Sequence, residues 1–109
     1  MSLHDKLNQS MSDRNVGDYL DLLHENFVAT FHKSGDTFSK TEWASMVTGM
    51  MGNEKFIQES SRCVYENDDV QIRPAFMSYP DDSREAVMMV AILKDGKIIS
   101  METGATALD

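Results

Sequence analysis

The chain has 109 residues and carries 10 Lys+Arg against 18 Asp+Glu, a formal net charge of −8. That length suits one domain around one core, here residues 1–109, and 41% hydrophobic with 8% aromatic residues is globular rather than disordered composition. The acidic balance argues against a nucleic-acid partner or an anionic membrane surface, since both reward Lys and Arg. A single cysteine, Cys63, excludes an intrachain disulfide and any CxxC motif. No apolar run approaches the roughly 18 residues of a membrane span, and the opening MSLHDKLNQS has no signal-peptide core. The expectation is a cytoplasmic protein.

Taken in chain order, Ser2 and Asp5 form an N-cap pair, and Leu3, Leu7 and Met11 then recur at helical spacing. Asn15 caps a second predicted helix bearing Val16, Tyr19, Leu20, Leu22, Leu23 and Phe27. Residues 27–32 change to β-type composition, and Ser34-Gly35 marks a turn. Ser39-Lys40-Thr41-Glu42 is a capping box. Behind it Trp43, Met46, Val47, Met50 and Met51 make one apolar helical stripe, with Gly52 as a stop. The second half reads as strands over 55–66, 70–79, 84–94 and 97–104, separated by Asn67-Asp68, Pro80 to Ser83, and the type I′ hairpin pair Asp95-Gly96. Helices followed by an antiparallel sheet give an α+β class.

Tight turns fix register and therefore faces. Two-residue loops at Asn67-Asp68, Asp81-Asp82 and Asp95-Gly96 place Glu59, Tyr65, Ile72, Phe76, Val87, Met89, Ala91 and Glu102 on the core side. Arg73, Met88, Val90, Ile92, Ile99 and Met101 fall on the other face, which is too apolar to stay in water. A second copy of the chain is the economical cover, so a homodimer through that face is expected. A bulge in any strand reverses the faces beyond it, and Pro74 is a plausible place for one.

The order of elements resembles the nuclear-transport-factor-two-like superfamily, nearest its SnoaL-like and ketosteroid-isomerase-like branch. The residues that carry the resemblance are Tyr19 to Leu23, Phe27 to His32, the helix start at Ser39 to Glu42, and the Asp95-Gly96-Lys97-Ile98 turn. It implies a cone-shaped, strongly curved antiparallel sheet with the N-terminal helices on its concave face, and a pocket between them. Enzymes of this kind rely on an Asp base in the pocket, whereas the core-side strand positions here contain no Asp.

Glu102 is therefore the first candidate general base and Glu59 the second, since burial raises a carboxyl towards neutrality. The plainer reading of Glu102 is a rim carboxylate paired with Arg84 or Lys55. His32 is a candidate proton shuttle, and Tyr65 a candidate donor to a developing oxyanion. Tyr19, Trp43, Met46, Met50, Phe76 and Met89 are expected to line the pocket. His4, His24 and His32 have no metal-ligand spacing, and no phosphate-binding or serine-hydrolase motif occurs, so neither metal nor cofactor is expected. The reading is a small-molecule-binding protein or a cofactor-free isomerase, cyclase or dehydratase acting on an apolar carbonyl compound. The alternatives are a non-catalytic ligand-binding or dimerisation module and an accessory subunit of a larger enzyme.

Overall fold

The computed structural model describes residues 2–108. Helix α1, Leu3–Asp13, starts where the Ser2 side chain accepts from the Asp5 amide at 3.0 Å. It ends at Arg14, which adopts a left-handed conformation with φ 52°. Helix α2, Val16–Leu20, is capped by Asn15 but stops after five residues. Leu22, Leu23 and Phe27 are therefore not helical. The chain instead enters β1, Leu23–Phe31, because the Ile98 amide donates to the Leu22 carbonyl and β1 zips in parallel along the last strand. Pairing with a distant strand overrides the local helical pattern.

Strand β2, Asp36–Ser39, turns back on β1 through Gly35, whose φ of +78° suits glycine. Helix α3, Lys40–Met51, begins with the complete capping box: Glu42 N donates to Ser39 Oγ and Ser39 N to Glu42 Oε1. Trp43, Val47 and Met51 form its buried line. The remaining strands are β3 (Ile57–Ser61), β4 (Tyr65–Glu66), β5 (Val70–Ser78), β6 (Arg84–Lys94) and β7 (Lys97–Leu108). The expected 55–66 strand is thus split in two, and the last strand runs four residues further than predicted.

The sheet order is β2-β1-β7-β6-β5-β3, with β4 pairing on β5. It is curved and unclosed, and all pairs are antiparallel except β1 with β7. The main core joins Leu7, Tyr19, Trp43, Val47 and Met51 of the helices to Leu23, Phe27, Ala29, Ala91, Ile98 and Met101 of the sheet. Burying a side chain such as Phe27 or Leu23, each 1% exposed, contributes roughly 1.5–3 kcal/mol. None of the helices among the described residues is long and apolar enough to cross a membrane.

The faces differ from expectation at two places. The β6 assignment is as predicted, with Val87 and Ala91 buried. The β5–β6 connection, however, leaves five residues unpaired after Ser78↔Arg84. It closes through Tyr79 N to Ser83 O and a left-handed Asp82 at φ 69°. An odd loop shifts the register by one, so Ala75 rather than Phe76 faces Val87, and Arg73 rather than Pro74 faces Met89. Gln71, Arg73, Ala75 and Met77 turn inward, while Phe76 stays outside at 45% exposed. Pro74 holds regular register with Met88 and is not a bulge.

The second change lies in β7. Asp95-Gly96 forms the expected hairpin, with φ 55° and 77°, and Leu93 pairs with Ile98. The next pair is Ile92↔Ser100, which leaves Ile99 as an extra residue. This bulge reverses everything beyond it: Met101 and Thr103 are buried, and Glu102 points out. Arg73 and Met101 therefore leave the expected dimer face.

Candidate functional site

Between the helices and the concave side of the sheet lies a cavity of about 590 Å³. Trp43, Met46 and Met50 reach it from α3, Tyr19 from α2, Leu7 and Met11 from α1, and Met77, Met89 and Met101 from the sheet. Seven of the eight methionines among the described residues (11, 46, 50, 51, 77, 89 and 101) line it. Unbranched, polarizable thioethers adapt to the shape of an apolar guest better than branched side chains do.

The sheet register arranges the inward-facing residues in rungs. Gln71, Ala91, Met101 and Ala29 form one, and Arg73, Met89, Thr103 and Phe31 the next. Ala75, Val87 and Ala105 follow, and Met77 pairs with Glu85 beyond them. Glu85 belongs to the open rim, where it binds exposed Lys33. Hydrogen bonding from Lys33 holds its carboxyl below the usual range, while burial and the neighbouring Glu85 push the Tyr79 phenol up.

Polar groups also gather at the α1 end. The Arg73 guanidinium donates from Nε to His4 Nδ1 at 2.9 Å and from Nη2 to Asn8 Oδ1 at 3.0 Å. Gln58 and Ser61 donate to the same Asn8 oxygen. Glu66 Oε1 accepts from the His4 amide and from Gln71 Nε2. On the helical side, Trp43 Nε1 donates to the Tyr19 hydroxyl at 3.0 Å. Burial raises the Tyr19 pKa, and burial lowers that of Arg73.

No family model matches the sequence, and no curated protein does. Solved structures do match the fold. A nuclear-transport-factor-two-like protein of unknown function from Cytophaga hutchinsonii superposes with a TM-score of 0.74 at 13% identity, covering 95% of this chain and 87% of the other. One from Burkholderia xenovorans gives 0.75 at 12% identity over 97% and 84%. A candidate ketosteroid isomerase from Kribbella flavida gives 0.72 at 9% identity over 98% and 77%.

The chain has the nuclear-transport-factor-two-like fold. As in the expectation for that fold, the helices cover the concave side of a curved sheet. Of the residues expected in the pocket, Tyr19, Trp43, Met46, Met50 and Met89 line the cavity and Phe76 does not. The four candidate catalytic residues all lie outside it. Glu102 meets His32 at 3.3 Å on the outside of the sheet, with side chains 57% and 61% exposed. Glu59 is the extra residue of the β3–β5 bulge and is bound by Ser78 and by Arg84 at 2.8 Å. Arg84 first, then Ser78, lowers its pKa to about 2. Tyr65 is 52% exposed, and its hydroxyl accepts from Asn67.

Glu85, Arg73 and Gln71 were absent from the expected site. Glu85 was within reach, since it lies two residues before Val87 on the correctly assigned face of β6. Arg73 and Gln71 were hidden because the outward residues of β5, Val70, Ile72 and Phe76, are the more apolar set.

Proposed function

We propose that this protein binds a small apolar molecule in the cavity between its helices and its sheet. The observation that carries the reading is the cavity itself: about 590 Å³ lined by seven methionines, Phe31 and Trp43. That volume falls within the roughly 300–1,000 Å³ of small-molecule sites. Some neighbours in fold are named as candidate isomerases, but acid–base isomerisation needs a base that faces the substrate. Glu85 is the one carboxylate among the described lining residues, and Lys33 keeps it ionised and weakly basic. Binding is therefore favoured over catalysis.

The same proposal includes self-association. The outer face of β5 and β6 presents Ile72, Phe76, Met88, Val90 and Ile92, with Val28 of β1 across β7 in the rung of Ile92 and Ser100, and four of these six apolar residues are exposed. A twofold pairing buries such a patch against itself. The expected site is cytoplasmic, where the lone Cys63 stays reduced.

Titration with decanol, read by the emission of Trp43, the only tryptophan, tests the binding. Saturable quenching is expected, and its loss in Ala105→Phe, which fills the cavity. Unsaturable quenching that persists in this variant contradicts the reading. Light scattering at micromolar concentration tests the dimer, and a monomer refutes it.

A further inference from the structure

Resting on the cavity reading above, we infer that the ligand is an apolar carboxylate whose acid group is held by Arg73. Arg73 is 6% exposed, lines the cavity, and has no ion pair within 4.0 Å among the described residues. Its bonds go to neutral acceptors, His4 Nδ1 and Asn8 Oδ1, through Nε and Nη2. Nη1 has no bonded partner among the described residues. Every fully buried side-chain nitrogen and oxygen among them is bonded, so Nη1 keeps accessible surface. A buried cation left without a counter-ion is costly, and an incoming anion removes that cost.

The nearby acids do not fill the role. Glu66 is close enough to favour the Arg73 charge, but it forms no ion pair with it within 4.0 Å and is bound by the His4 amide and Gln71, so it compensates that charge only in part. Glu85 pairs with Met77, four residues along β5 from Arg73, or about 13 Å. Lys33 binds it there. Burial lowers the Arg73 pKa, in keeping with a cation that lacks full compensation.

A second donor faces the same space. The Tyr19 oxygen accepts from Trp43, and its own proton has no acceptor among the described residues. Tyr19 and Arg73 lie near enough for each to shift the other's titration. Together they offer a charged and a neutral donor to one carboxylate, while the methionines take the hydrocarbon. One cation matches a monoanion. A phosphate monoester would bring a second, uncompensated negative charge into an apolar site.

Calorimetric titration at neutral pH with decanoate, decanol and decylamine tests this. Decanoate is expected to bind about tenfold tighter than decanol or more, as charge-assisted hydrogen bonds do, with decylamine weakest. Arg73→Gln is expected to bring decanoate down to the level of decanol without weakening decanol. Equal affinity for decanoate and decanol in the wild type overturns the carboxylate assignment and leaves the cavity reading standing. Tightest binding of decylamine also overturns it, and binding of none of the three defeats both. Where Arg73→Gln does not fold, the wild-type comparison still decides whether the cavity prefers a carboxylate.

Discussion

The indole Nε1 of Trp43 donates to the hydroxyl of Tyr19 at 3.0 Å, and both residues are buried. This bond ties α2 to α3 across the mostly apolar space that the two helices share with the sheet. Tyr19→Phe leaves the indole N–H without its acceptor, which costs about 1–3 kcal/mol. A thermal melt is expected to fall by several degrees, with a shifted Trp43 emission. An unchanged melt would show that water replaces the hydroxyl.

His4 makes stability depend on pH. Burial first, then the charge of Arg73, lowers its pKa from the usual 6.5, and its Nδ1 accepts from Arg73. The folded state thus prefers neutral imidazole, and the unfolded chain binds the proton more readily. This contribution is whole above 6.5 and is lost as pH falls below 6.5 towards the folded-state value. Glu59, with a folded-state pKa of about 2, loses its contribution only below its usual 4.5. Urea midpoints between about pH 7.5 and 5 are expected to decline in the wild type and to flatten in His4→Gln. Equal slopes refute the assignment.

Met101 and Glu102 are chain neighbours on opposite sides of the sheet, and the bulge at Ile99 decides that Met101 is the one turned inward. Met101→Ala is expected to destabilise by about 2–4 kcal/mol, as a buried methionine does. Glu102→Ala should stay within about 0.5 kcal/mol. Urea unfolding of the two variants measures both, and the reverse ranking would place the bulge elsewhere.

Arg14 fastens the end of α1 to the segment after α3. Its Nη1 donates to the carbonyls of Met51 and Asn53, and its Nη2 to those of Glu54 and Phe56, the last at 2.7 Å. A lysine ammonium has three donors on one point and cannot reach four carbonyls in this arrangement. Arg14→Lys is expected to lower stability by about 1–2 kcal/mol in urea unfolding. Full retention would make the clamp dispensable.

The fold was legible where the chain acts locally. The capping box at Ser39, the helical stripe behind it and the Asp95-Gly96 hairpin depend on residues a few positions apart, and all form as read. What misled was parity. The five-residue loop after Ser78 and the extra Ile99 each displace the pairing by one, and each displacement exchanges inside for outside. Hydrophobic alternation gave no warning, because Phe76, Met88 and Ile92 are as apolar outside as Ala75, Val87 and Ala91 are inside. The same slips moved Glu59 and Glu102 out of the candidate site and brought Gln71 and Arg73 in. The pocket-lining helical residues were safe from this error, since a helix face follows from its own spacing.

Met88 and Met89 give the most direct test of the central claim, since consecutive residues stand on the outer face and in the cavity. Methyl NMR of methionine-labelled protein, titrated with decanol, reads both sides of the sheet at once. The account predicts saturable shifts at Met50, Met77, Met89 and Met101, with Met88 unmoved. Shifts at Met88 with the other four unchanged would place the binding surface outside the cavity and contradict it.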